Sequence, residues 1–211
     1  MTRILGVDPG RTDPFASVLI QVKDKKIYIL GAKFWKNQER YQLVYDEISR
    51  IVKQQDVSYV IVEKNSAGDP IIDALKYEYR LPVRAVFTTN TKSREAKKGI
   101  MNKSEMVTWL FQNHNILDWP RQGDEYLLEL KKQWTVFGEY HKNKFEAPSG
   151  THDDLMMALM LACYFARLNF IRDPTNKFVW LQGSELQGDP ITALNKEYEE
   201  GKTGLHWTRV T

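Results

Sequence analysis

Cysteine is nearly missing from this chain: Cys163 is the only one in 211 residues. A single thiol excludes an internal disulfide and a cysteine-built metal centre. Its neighbours Leu161, Ala162, Tyr164 and Phe165 mark it as a reduced core residue. Long apolar runs are also missing. The longest, Leu155 to Ala166, is twelve residues, well short of the roughly 20 a membrane-spanning helix needs. Met1 runs directly into a short apolar segment ending at Asp8, so no signal peptide is expected and the protein reads as intracellular. A phosphate-binding loop is lacking too. Gly201-Lys202-Thr203 has the right ending, but the position five residues earlier holds Lys196 where that loop needs glycine.

Strong charge of one sign is the last absence. The net charge of +3 does not by itself imply a nucleic-acid partner. Its distribution says more. Residues 169–211 hold five Lys/Arg and six Asp/Glu, which leaves +4 on residues 1–168. Within that body Lys92, Arg94, Lys97, Lys98 and Lys103 stand against the single acid Glu95. Such a cluster suits phosphate contacts, and a solvated loop or helix face accounts for it equally well on charge alone.

What is present has the patterning of an α/β domain. Arg3 to Asp8 reads as a short buried strand ending at a carboxylate, and Phe15 to Val22 and Ile27 to Trp35 as two further strands. The polar Lys23-Asp24-Lys25-Lys26 between the last two suggests a hairpin. Over residues 38–55 the period changes: Tyr41, Val44, Tyr45, Ile48, Ile51 and Val52 recur at helical spacing. Ser58 to Glu63 is a second buried strand ending at an acid. Gly68-Asp69-Pro70 opens a helix, and Leu81 to Phe87 is another strand. Helices are expected over about 103–113 and 124–132. Trp134 to Phe137 and Lys144 to Ala147 are expected to pair as a hairpin. Thr151 to Leu168 reads as a nearly all-apolar helix. The expected domain spans 1–170, with 171–211 as a loosely packed extension. The helix at 38–55 serves as a crossover, so the strand ending at Glu63 is expected to run parallel to the strand ending at Asp8. If the two are neighbours, both acids emerge at one sheet edge.

The chemistry is carried by three acidic sites at element ends: Asp8, Glu63, and the pair Asp153-Asp154 at the start of the last apolar helix. Oxygen-only ligands suit hard divalent cations, Mg²⁺ or Mn²⁺. Two such ions activate a water and stabilise the leaving oxygen of a phosphodiester. Taken singly, each acid has a plainer account. Asp8 suits a turn before Pro9-Gly10, Glu63 a strand end, and Asp153 and Asp154 a helix cap. Jointly they favour a metal site.

The same residues resemble a family. Gly6-Val7-Asp8-Pro9-Gly10 with Thr12-Asp13-Pro14-Phe15-Ala16, then Val62-Glu63-Lys64-Asn65 with Gly68, then His152-Asp153-Asp154 with Met157-Ala158-Leu159 are similar to the nuclease domain of phage terminase large subunits. The resemblance covers about residues 1–168. It implies an RNase H-like fold with an extra hairpin, and two-metal cleavage of double-stranded DNA by Asp8, Glu63, Asp153 and Asp154, with Asp154 favoured over Asp153 as the bridging ligand. It makes His152 an accessory candidate for a metal or phosphate, against an ordinary histidine at a helix start. It places the hairpin, with Lys142 and Lys144, near the DNA path. It also implies partners: a terminase ATPase domain, a small subunit and a portal, in the cytoplasm of a host cell. Since the chain starts at the first nuclease strand, it reads as a nuclease domain separated from its ATPase. Three rivals share parts of the pattern. A RuvC-type junction resolvase tends to place its last two acids three residues apart, where Met157 stands here. An actin-like or sugar-kinase ATPase needs a second glycine-rich loop and an adenosine motif, and neither is found. A non-catalytic binding module leaves the intact acid set unexplained.

Overall fold

The computed structural model describes residues 1–10, 15–35, 40–64, 68–89, 100–141, 144–146 and 152–171. The acids expected at the sheet edge fall inside this set. Lys92, Arg94, Lys97, Lys98 and Lys142 lie outside it, as does the expected extension from residue 172 onward.

A three-stranded meander opens the chain: β1 (Thr2–Pro9), β2 (Phe15–Lys23) and β3 (Lys26–Trp35). Each strand is antiparallel to its predecessor. Lys23 pairs with Lys26, so β2 and β3 are joined by the two residues Asp24 and Lys25, both with positive φ (50° and 62°). That backbone twist matches the right-handed twist of the flanking strands and makes a tight hairpin. Helix α1 (Tyr41–Gln54) crosses over to β4 (Tyr59–Glu63), which lies parallel to β1 with Val7 opposite Val62. Then follow α2 (Gly68–Asp73), continued by a wider π-helical turn over Ala74–Glu78, and β5 (Val83–Thr89), parallel to β4. The remaining elements are β6 (Ile100–Asn102), α3 (Lys103–Gln112), β7 (Leu117–Asp118), α4 (Glu125–Val136), the pair β8 (Gly138–His141) and β9 (Lys144–Glu146), and α5 (Asp154–Asn169). The seven-stranded mixed sheet has the order β6-β5-β4-β1-β2-β3-β7.

Side chains alternate across the sheet, and the two faces bury different helices. Leu5, Val7, Val60 and Val62 face α1, packing with Val44, Ile48 and Val52. Ile4, Ile61 and Val86 face the other way, into a core shared with α5, α3 and α4. Burying each such side chain fully contributes about 1.5–3 kcal/mol. Helix α5 is apolar all round because it is covered all round, by β1 and β2 on one side and α3 and α4 on the other. Cys163 is buried within it.

The hairpin departs from the sequence expectation. Trp134, Thr135 and Val136 belong to α4, and the first arm is Gly138–His141. Their high strand propensity yields to packing. Leu127 and Leu130 put α4 into the core on a helical stripe, and the Trp134 ring stacks on Phe111 of α3 at 4.7 Å between centroids.

Candidate metal centre

The alternation that sorts the core also aims the acids. Asp8 has the parity of Ile4 and Gly6 in β1, and Glu63 has that of Ile61 in β4, so both share the face that α5 covers. Because β1 and β4 are parallel, the residues following the Val7–Val62 pair are Asp8 and Glu63, at the same sheet edge. Helix α5 approaches this edge with its N-terminus, bringing Asp153 and Asp154. The approach is close. A Cβ added to Gly6 would meet the Ala158 carbonyl oxygen at 1.9 Å, so only glycine lets β1 and α5 come this near.

Asp8 and Asp154 are buried, 8% and 7% exposed, among the few polar side chains that are. Burial raises the Asp8 carboxyl well above the usual carboxylate range. The charges of Glu63, Asp154 and Asp153, and a hydrogen bond shared with Glu63, push it the same way. Every cause has the same sign. The four acids expected from sequence therefore converge, and their mutual repulsion is what a divalent cation would offset. Among the described residues, no group of three or more acid, histidine or cysteine side chains is arranged so that it could hold a metal ion as it stands. The donor set is carboxylate oxygen, which fits a hard cation such as Mg²⁺ or Mn²⁺.

Supporting groups surround the acids. Thr88, at the end of β5 and on the same face as Val86, donates its hydroxyl to Glu63 Oε1. Lys103, the first residue of α3, sets its Nζ 3.6 Å from Asp153 Oδ2 and 5.9 Å from the centre of the Phe137 ring. Its side chain is only 17% exposed. Within the expected basic cluster, then, Lys103 faces the acids and not open solvent. His152 is exposed, with Nδ1 3.5 Å from Asp154 Oδ2 at the rim of the cluster. Lys144 lies in β9, and its side chain is outside the described set.

Asp153 occupies the position before α5 but makes no side-chain capping bond. The leading N–H groups of α5 are taken instead by Gln133 of α4, whose Oε1 accepts from Leu155 and Met156 at 3.1 and 3.2 Å. Gln133 and Thr88 are the residues that sequence reasoning missed, and Gly6 was named in the first motif without its packing role. The one local signal for Gln133 is a lone amide among the buried leucines of α4. Thr88 gives only its place at the end of a strand.

The family model of the terminase RNaseH-like domain matches residues 5–164. No curated protein matches the chain in sequence. Among solved structures, the large-terminase nuclease domain of bacteriophage SPP1 with bound Mn is similar at TM-score 0.56 and 15% identity, covering 78% of this chain and 86% of that one. The human cytomegalovirus terminase nuclease domain, Mn-soaked and inhibitor-bound, is similar at TM-score 0.51 and 12% identity, over 77% and 82%. A large terminase from a thermophilic bacteriophage gives TM-score 0.54 and 12% identity over 76% of this chain, which spans 38% of that protein's length. These likenesses show the RNase H-like fold that the sequence led one to expect.

Proposed function

This chain belongs to the terminase RNase H-like domain family, and from that premise we propose that it is a divalent-metal-dependent endonuclease cutting double-stranded DNA during viral genome packaging. One observation carries the reading: four acids from three separate elements meet at one sheet edge, and Asp8 among them is buried against like charge. Burying like charges without a counter-ion is unfavourable, so the arrangement makes sense as a cation site. Asp8, Glu63 and Asp154, with Asp153 beside them, would hold Mg²⁺ or Mn²⁺, two ions in this reading. Such ions, when bound, supply the positive charge that activates water and stabilises a leaving phosphodiester oxygen.

The chain's own groups do the rest. Thr88 fixes the Glu63 carboxylate by donating to one of its oxygens. Lys103 offsets the charge of Asp153. Packing around Asp8 and Asp154 keeps bulk water from screening the cluster. His152, exposed beside Asp154, is placed to meet a phosphate entering from solvent. Lys92, Arg94, Lys97, Lys98, Lys142 and Lys144 supply the DNA contacts in this proposal, and a terminase ATPase, small subunit and portal are the wider partners.

The similar nuclease domains carry Mn in their solved forms, which supports choosing Mn²⁺ for the assay. Supercoiled plasmid is incubated with the protein in Mg²⁺, Mn²⁺, Ca²⁺ or EDTA. Nicking and linearisation in Mg²⁺ or Mn²⁺, abolished by EDTA, are expected. Cutting that persists in EDTA, or none in any metal, contradicts the proposal.

A further inference from the structure

The first N–H groups of a helix have no partner inside it. In α3 and α4 the preceding residue supplies one: Asn102 Oδ1 accepts from Glu105 N at 3.2 Å, and Asp124 Oδ1 from Leu127 N at 3.0 Å. Helix α5 departs from this pattern. Asp153 stands in the capping position, and aspartate is among the best capping residues, yet its carboxylate caps nothing and faces Lys103. The cap comes from another helix. Gln133, 4% exposed, reaches from α4 and accepts from the two N–H groups that a capping side chain would ordinarily take.

We propose that Gln133 is a positioning residue: by capping α5 from a neighbouring helix, it releases the Asp153 carboxylate to serve the cation cluster with Asp8, Glu63 and Asp154. The inference rests on reading that cluster as a cation site. Its chemistry is a competition for one pair of N–H groups. The Gln133 amide oxygen satisfies them and adds no negative charge to four acids. Without it, the donors are left buried and unpaired. Asp153 stands in the capping position and is an acceptor of the right type, and turning inward to cap the helix would draw it away from Lys103 and the cluster. Loss of Gln133 then damages cation binding more than folding, because the helix finds a substitute cap in one of its own ligands.

The test compares Gln133→Met, of similar size without an acceptor, with Gln133→Glu, which keeps one. Mn²⁺ binding to the 211-residue chain is followed by calorimetry, and thermal unfolding is measured without metal. Gln133→Met is expected to weaken Mn²⁺ binding about tenfold or more, as loss of a group that orients metal ligands does. Gln133→Glu should stay within about threefold of the parent, below the range typical of such losses. In the metal-free protein, Gln133→Met should lower Tm by about 2–4 °C more when Asp153→Ala is also present, because no substitute cap remains. Unchanged Mn²⁺ affinity in folded Gln133→Met, or strictly additive Tm effects, overturns the proposal. Should Gln133→Met fail to fold, Gln133→Asn, which stays neutral but draws the acceptor back by one carbon, takes its place: about a tenfold loss of Mn²⁺ affinity supports the proposal, and parent-like affinity contradicts it. Should the parent chain bind no Mn²⁺, the cation-site reading fails, and additivity of the Tm effects alone decides whether Asp153 and Gln133 compete for the cap.

Discussion

Glu47 and Asp8 are carboxylates on opposite sides of the same sheet, and their surroundings differ in sign. Glu47, on α1, accepts from the Lys33 ammonium, from the Trp35 indole at 2.8 Å and from Arg50 at 3.1 Å. Its partial burial alone would raise its pKa, but the hydrogen bonds of Lys33 and Trp35, with the charge of Lys33 and the bond from Arg50, outweigh that and hold it below the usual range. Asp8 has burial and three neighbouring acids, all pushing upward. A carboxylate ringed by donors and cations ties a helix to a strand. One ringed by other carboxylates stabilises nothing in the fold by itself, and that environment fits the proposed cation site.

The largest expected effect breaks this comparison directly. Asp8→Ala or Glu63→Ala should reduce plasmid cleavage below detection while the circular dichroism spectrum stays native. Glu47→Ala should do the reverse: its loss of hydrogen bonds to charged groups is expected to cost about 1–3 kcal/mol in denaturant unfolding, with cleavage retained by the folded protein. Parent-level cutting by either cluster variant would end the distinction.

A smaller effect sharpens it. Thr88→Val keeps the shape of the side chain but removes the hydroxyl that holds Glu63. Mn²⁺ affinity should fall about tenfold, at the low end for groups that orient ligands. An unchanged affinity would make Thr88 incidental.

How much of this was legible in the sequence depends on the range of the interaction concerned. Asp8 and Glu63 could be placed because each ends an apolar strand, and an amphipathic helix of crossover length lies between them; the structure has the parallel neighbours that this pattern implies. Helix α5 was legible from its unbroken apolar run. Strands β6 and β7, three and two residues long, carry no readable period. Trp134-Thr135-Val136 read as strand because propensity is local, whereas the Phe111 ring that holds Trp134 in a helix is distant in sequence. Thr88 and Gln133 act through partners 25 and at least 22 positions away. Lys103 was legible as basic, but its turn toward Asp153 is a tertiary fact.

The smallest effect concerns pH. A carboxyl whose pKa is higher in the folded than in the unfolded chain contributes most at low pH, and that contribution is lost as pH rises from the unfolded pKa through the folded one. Asp8 has this sign. Metal-free Asp8→Asn should therefore have a higher Tm than the parent at neutral pH, and the gain should shrink as pH falls toward about 4, the ordinary carboxylate pKa. A lower Tm at neutral pH would mean that the ionised carboxylate is held by donors, as Glu47 is.

The central proposal is that four acids at one edge together form a centre for divalent cations. Calorimetric titration of Mn²⁺ into the parent chain, Asp8→Asn and Glu47→Gln tests it most directly. Saturable binding in the parent and in Glu47→Gln, lost in Asp8→Asn, is the expected result. Equal binding by the parent and Asp8→Asn, or none by the parent, would contradict it.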